Sequence, residues 1–287
     1  VPLAGGSPTT LATFNNTNGA LSVAGLTLSG STLYGTTYGG GASGDGTVFS
    51  VPLAGGSPTT LATFNNTNGA NPEAGLTLSG NTLYGTTAFG GASRDGTVFS
   101  VPLAGGSPTT LATFNGTKGE YPEAGLTLSG STLYGTTGGG GAYGYGTVFS
   151  VPLAGGSPTT LATFTNTNGA FPEAGLTLSG STLYGTTAGG GTTNDGTVFS
   201  VPLAGGSPTT LATFNGINGD GPYAGLTLSG STLYGTTYGG PNGCGTVFSL
   251  TPVPEPASLS LLAGGMILLG RRSRRRASVS LGELRRT

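Results

Sequence analysis

The sequence has no histidine and no tryptophan, a single cysteine and a single methionine, and only 7% of its 287 residues are charged. Each shortage removes a class of chemistry. Without histidine there is no imidazole to serve as a general base near neutral pH or to ligate a metal. With Cys244 alone, neither an internal disulfide nor a Cys/His zinc site can be assembled. Low charge combined with 35% apolar residues argues against a chain that is disordered throughout. The 59 glycines follow no G-X-Y period, which excludes collagen. What is abundant, Gly, Thr, Ser and Leu, suits short strands joined by tight turns.

The net charge of −1 conceals an asymmetry. Residues 1–250 hold eight acidic side chains against Arg94 and Lys118, whereas residues 251–287 hold seven arginines against Glu255 and Glu283. The two stretches are different physical objects. The chain starts at Val1 without an initiator Met or an export signal, and reads as a mature product or as a fragment cut at a repeat boundary.

An internal period dominates residues 1–250. VPLAGGSPTTLATF recurs at 1, 51, 101, 151 and 201, AGLTLSG-x-TLYGTT recurs at 24, 74, 124, 174 and 224, and GTVFS follows in each copy. Cys244 replaces a loop residue in the last copy and is read as incidental. In the first copy four strands are expected, at Leu26–Ser29, Thr32–Thr37, Thr47–Leu53 and Thr59–Phe64. Gly30-Ser31 supplies hairpin chemistry between the first two, and Ala54–Pro58 a Gly-rich turn between the last two. Apolar residues fall on both faces of the third strand, as a sheet sandwiched between neighbouring sheets requires. Pro52 would be costly inside a central strand, so that strand should end at an edge or bulge.

Four antiparallel strands per repeat of about 50 residues indicate an all-β protein, a β-propeller of five four-stranded antiparallel blades. A β-solenoid is the rival, although its coils are usually shorter and its strands parallel. The phase of the repeat predicts closure: Thr9–Phe14 should pair with Thr246–Leu250, completing the fifth blade and removing exposed edges.

The pattern L-Y-G-T-T…G-G…G-T-V-F, preceded by P-x-A-G-L, resembles the GloVer tandem repeat of bacterial surface proteins over nearly all of 1–250. Ser22-Val23 departs from Pro-Glu in the first copy, and Pro241–Cys244 remodels the last. Downstream, residues 251–256 form a Pro-rich linker containing Val253-Pro254-Glu255-Pro256. An apolar run, Ala257–Gly270, follows, and then Arg271, Arg272, Arg274, Arg275 and Arg276. An apolar helix held by adjacent arginines has the logic of a stop-transfer segment. The order resembles the PEP-CTERM sorting signal, and that resemblance implies an exosortase-type transpeptidase and the membrane as partners. Two features depart from it: the run is 14 residues, short of the ~20 that span a bilayer comfortably, and residues 277–287 follow the arginines. The expected division is therefore 1–250 propeller, 251–256 linker, 257–276 hydrophobic helix with a basic stop, and 277–287 a disordered tail. Nucleic-acid binding through RRSRRR is disfavoured by the apolar run and the acidic repeats.

In a four-strand meander, loops 15–24 and 38–46 and their equivalents share one face. The copies differ there, while the opposite turns are nearly invariant. Loop tips tolerate drift, so the variation has a plain structural reading beside a functional one. That face carries nearly every acid of the repeats. Asp45 and Asp95 precede Gly-Thr and look like turn residues, whereas Glu73, Glu123 and Glu173 occupy matching positions and form a candidate arc. Tyr38, Phe89 and Tyr238 are variable aromatics able to stack on sugar rings or to pack the loops. No ligand-dense Asp/Asn loop is present, so no metal, cofactor or catalytic residue is assigned. Near-symmetric acids suit binding better than the differentiated roles that glycoside hydrolysis needs. These readings lead to an exported, envelope-associated structural or binding module, with extracellular polysaccharide as the candidate ligand. The alternative is a carbohydrate-active propeller enzyme using the loop carboxylates.

Overall fold

Threonine, valine and aromatic residues fill the stretches between the glycine-rich turns, and these β-branched and planar side chains favour the extended backbone. In the computed structural model, which describes residues 5–251, every such stretch is a strand except the first. The first blade comprises β1 (Thr27–Ser29), β2 (Thr32–Thr37), β3 (Thr47–Pro52) and β4 (Thr59–Thr63). The second comprises β5 (Thr77–Ser79), β6 (Thr82–Thr87), β7 (Thr97–Pro102) and β8 (Thr109–Thr113). The third has β9 (Thr127–Ser129), β10 (Thr132–Thr137), β11 (Thr147–Pro152) and β12 (Thr159–Thr163). The fourth has β13 (Thr177–Ser179), β14 (Thr182–Thr187), β15 (Thr197–Pro202) and β16 (Thr209–Thr213). The last holds three, β17 (Thr227–Ser229), β18 (Thr232–Thr237) and β19 (Thr246–Leu250). All pairs are antiparallel and each sheet follows chain order, a propeller-like meander rather than the parallel coils of a solenoid.

Local chemistry sets each turn. Ser29 pairs with Thr32 across a two-residue loop whose first residue, Gly30, has φ of 58°, as a II′ hairpin turn asks of its first position. Pro52 pairs with Thr32 but lies beyond the last β3–β4 pair, Ser50–Thr59, so its missing N–H interrupts no ladder. Between Val48 and Phe49 the β3–β4 register slips by one residue, which leaves Leu61 bulged. Its carbonyl then accepts a hydrogen bond from Gly106 of the next blade at 2.9 Å. The bulge recurs in each of the four-stranded blades and turns a ladder group into an inter-blade contact.

Blades stack face to face. Tyr34, Val48, Ala62 and Phe64 on the back of the first meet Leu76, Leu83, Phe99 and Val101 on the front of the second. The second and third, and the third and fourth, meet through the equivalent residues. At the fourth–fifth interface Tyr184, Val198 and Phe214 meet Leu226 and Leu233. Phe64 and Phe99 cross edge to face at 4.9 Å, the arrangement that ring quadrupoles favour. Glycine at position 85 makes room for it, because a Cβ there would sit 2.6 Å from the Phe99 ring. Polar links accompany the apolar ones: Thr36 Oγ1 donates to Ala74 O at 3.0 Å and Thr27 Oγ1 to Leu76 O at 2.5 Å. Buried Thr37 and Thr47 share a hydroxyl–hydroxyl bond of 2.8 Å. Among the described residues no buried side-chain N or O lacks a partner.

Closure is not observed. Residues 5–19 form no strand, and no backbone pairing joins Thr9–Phe14 to β19. Instead the N-terminal segment is seated on the front of the first blade, where Gly56 N–H donates to Leu11 O at 2.9 Å and Phe14 crosses Phe49 at 4.8 Å. The reason is the repeat itself. Equivalent contacts fix the turn from one blade to the next, and the four such steps between the described blades leave the two end strands unpaired. The expected C-terminal helix, like the linker, the sorting residues and the tail, lies outside the described residues.

Candidate functional site

The loops of the variable face are knitted by backbone. Ala20 and Gly39 exchange hydrogen bonds of 2.8 and 3.0 Å, and Gly41 N–H donates to Asn16 O at 2.7 Å. This places loops 15–24 and 38–46 side by side, as the meander required. The carbonyl at the position of Asp45 then reaches the next blade. Asn71 N–H donates to Asp45 O, Tyr121 N–H to Asp95 O, Phe171 N–H to Tyr145 O and Gly221 N–H to Asp195 O, at 2.8 to 3.2 Å. Tyr145 does with its backbone what the aspartates do. Asp45 and Asp95 therefore belong to blade junctions, and the side chain is not what the position requires.

The glutamates stand elsewhere. Successive blades converge along Gly25, Gly75, Gly125, Gly175 and Gly225, and a Cβ added at any of the last four would lie 3.2 to 3.5 Å from the carbonyl oxygen of the preceding glycine of the line. This line marks the inner edge of the arc, and Glu73, Glu123 and Glu173 lie two residues before it. All three are half-buried. Burial pushes Glu73 above the ordinary carboxylate range. Glu123 is raised to about 7, chiefly by burial and then by repulsion from Glu73 and Glu173. Glu173 is raised by burial and by Glu73. The three carboxylates thus share one field. Among the described residues no group of three or more His, Cys, Asp or Glu is gathered closely enough to hold a metal ion.

Aromatics gather in pairs on this face, two of them across neighbouring blades and one within the last blade. Phe89 crosses Tyr121 at 5.3 Å, Tyr145 crosses Phe171 at 6.2 Å and Tyr223 crosses Tyr238 at 6.1 Å, all edge to face. Except for half-buried Tyr145, these rings are exposed, Tyr238 to 81%. Tyr121 and Phe171 hold φ of 59°, a conformation costing about 1–3 kcal/mol for bulky residues and recurrent at functional surfaces. Of the aromatics selected from sequence, Phe89 and Tyr238 each join a pair. Tyr38 is half-buried, and its backbone oxygen accepts from Asn71 Nδ2 at 3.0 Å. Tyr121, Phe171 and Tyr223 were not among the selected binding residues. The signal for them was present, since each lies in loop 15–24 or its equivalent on the variable face.

The fold and this face define an all-β, propeller-like repeat protein with a variable loop surface. The chain belongs to the Gloeobacter/Verrucomicrobia repeat family, which it matches over residues 1–137 and 105–263. Residues 252–276 match the PEP-CTERM protein-sorting motif, which indicates export by an exosortase-type system with the tail anchored in the membrane before processing. These are repeat and sorting-signal families, not enzymatic ones. No curated protein matches the sequence. Among solved structures, the GH74 enzyme of Niastella koreensis is 17% identical, with a TM-score of 0.52 over 78% of this chain and 35% of that one. The extracellular domain of a proposed hybrid two-component system from B. thetaiotaomicron is 10% identical, with a TM-score of 0.51 over 77% of this chain and 26% of that one. The chain thus spans about a third and a quarter of these proteins, and the likeness is one of fold.

Proposed function

We propose that the repeats form a binding module of the cell envelope whose variable face holds extracellular polysaccharide. The observation that carries this reading is the set of aromatic pairs on the variable face, two of them bridging neighbouring blades and including a residue held at positive φ, the third lying within the last blade. An aromatic face offers apolar contact to the C–H side of a sugar ring, and the glutamates beside the inner edge supply hydrogen-bonding partners for hydroxyls. Several weak, similar sites on one arc favour a repetitive polymer through effective concentration. Glu73, Glu123 and Glu173 are like copies in like surroundings, which supports binding over the unlike acid and base of a hydrolase.

The test is retention of the full chain on immobilised exopolysaccharide, beside a variant carrying Phe89→Ala, Tyr121→Ala and Tyr238→Ala. Retention by the parent and about ten-fold weaker retention by the variant is expected, since each lost ring contact contributes about 0.5–1.5 kcal/mol. Equal retention, or none by either, removes the proposal. Release of new reducing ends from the polymer, abolished by Glu123→Gln, would favour the enzyme instead.

A further inference from the structure

Asparagine is followed by glycine seven times in the chain. Without a Cβ, glycine leaves its amide nitrogen unshielded, so this pair is open to attack by that nitrogen on the asparagine side chain. Six of the pairs lie in loop 15–24 and its equivalents, and in each of them the side-chain Oδ1 accepts a backbone N–H. Asn18 accepts from Asn15 at 2.9 Å, Asn68 from Asn65 at 3.0 Å, Asn115 from Lys118 at 3.2 Å and Asn168 from Thr165 at 2.9 Å. Asn215 and Asn218 accept from each other at 3.1 and 2.9 Å. Such a bond fixes the rotamer and must break before Cγ can turn its face to the following nitrogen. Four of the following glycines, Gly19, Gly69, Gly169 and Gly219, are also buried, where an added Cβ would lie 2.6 to 2.7 Å from a threonine side chain.

The seventh pair, Asn242-Gly243, has neither restraint. Pro241 to Cys244 are all exposed, and among the described residues Asn242 makes no side-chain hydrogen bond. In the first copy Gly46 N–H donates to Gly40 O and Gly41 N–H to Asn16 O, and the next three copies repeat both bonds at 2.7 to 3.1 Å. The last copy, one residue shorter, forms neither. Its turn is closed by Gly243 N–H to Gly240 O at 2.8 Å, and exposed turn bonds of this kind open readily. The loop tip is exposed in every copy, so Asn242 owes its exposure to its place on the variable face and not to its place in the last blade.

We infer that Asn242 is a site of spontaneous covalent modification, converting to aspartate and isoaspartate through a cyclic imide while the other six asparagines are protected by the fold. The Gly243 amide nitrogen gives its proton to solvent and attacks Cγ of Asn242. The bond from Cγ to Nδ2 breaks, and the leaving nitrogen takes up protons from solvent and departs as ammonium. Water then opens the five-membered ring at either carbonyl. The sum is one water consumed, one ammonium released and one carboxylate gained, with no change of oxidation state. The product places a new negative charge in loop 238–245, four residues from Tyr238. In the isoaspartyl form the chain also runs through the former side-chain carbon, which lengthens the loop backbone by one atom. The Tyr223–Tyr238 pair of the variable face, with Tyr238 81% exposed, therefore changes its surroundings as the protein ages.

Peptide mapping by mass spectrometry, on the full chain aged in mildly alkaline buffer, tests this. Asn242 should convert at least about ten-fold faster than any of the other six, the factor that one retained side-chain hydrogen bond accounts for. Isoaspartate should appear in the Asn242 peptide first, and the ageing protein should gain an isoform more acidic by one charge. Asn242→Gln, which keeps the amide but disfavours the ring, should suppress that first isoform and leave the melting temperature unchanged. In denaturant the seven pairs should converge, because the following residue is glycine in all of them and the fold no longer distinguishes them. Conversion spread evenly over the seven pairs of the folded protein overturns the inference. So does an Asn242 that stays intact while another pair converts, or a preference for Asn242 that persists unchanged in denaturant.

Discussion

Replacing Glu123 with glutamine should stabilise the protein, but only where the native carboxylate would be charged. The folded protein holds this carboxyl at about 7, against 4.5 for an unperturbed glutamate. Below pH 4.5 folded and unfolded chains both carry the proton, and the residue imposes no penalty. As pH rises from 4.5 to 7 the unfolded chain loses its proton while the folded one keeps it, so stability falls. Above 7 the loss levels off. A fully buried group shifted this far would cost about 3 kcal/mol at 1.36 kcal/mol per unit. Glu123 is half-exposed, and screening by water reduces this to about 1–2 kcal/mol. Glutamine keeps the shape and removes the charge, so the variant and parent should melt together at pH 4.5. At pH 8 the variant should melt about 2–8 °C higher, taking 2–4 °C per kcal/mol for a chain of this size. Burial outweighs repulsion among the causes, so 0.5 M salt should remove only the smaller part of the difference. Differential scanning calorimetry at both pH values measures this. Parallel pH profiles for the two proteins would refute the placement of Glu123 among its two neighbours.

Three further outcomes follow from the packing and the tail. Gly85→Ala drives a Cβ to 2.6 Å from the Phe99 ring and should cost about 1–3 kcal/mol by overpacking, read by denaturant unfolding. The double variant Gly85→Ala with Phe99→Leu should recover part of that loss. Thr136→Val removes the buried bond to Ala174 O and strands that carbonyl, costing about 1–3 kcal/mol in the same assay. In the producing bacterium, neutral residues at Arg271, Arg272, Arg274, Arg275 and Arg276 should weaken membrane retention before processing. Replacement of Pro254-Glu255-Pro256 should block maturation while the repeats stay folded. Unchanged mass and surface yield in both variants would contradict the sorting role.

The blade was legible because its signals are local. Period-two side chains, a Gly-led two-residue turn between Ser29 and Thr32, and a proline at the end of β3 each act within a few residues. The bulge at Leu61 was not legible, since it is resolved by a partner 45 positions away, the N–H of Gly106. Ring closure failed for a related reason. Sequence phase showed that the end strands could complete a blade, but the angle between blades arises from side-chain packing such as Phe64 on Phe99, which the repeat pattern does not encode. At the loops, the common face of the acids was readable, while the separate roles of Asp45 and Glu73 were not. One position joins neighbouring blades through its backbone carbonyl and the other holds a half-buried carboxylate near the inner edge, and composition does not separate the two.

The sameness of the internal interfaces also bears on how such a chain changes over generations. Every blade offers the same back and receives the same front, so a unit of 50 residues can be added or lost with each remaining interface keeping equivalent partners. Near-identical coding segments in tandem are prone to unequal exchange, and here such an exchange would alter the length of the arc without creating a misfit. The number of blades is then free to drift, and with it the number of loop pairs presented outward, while the packing that holds any two neighbours together stays fixed.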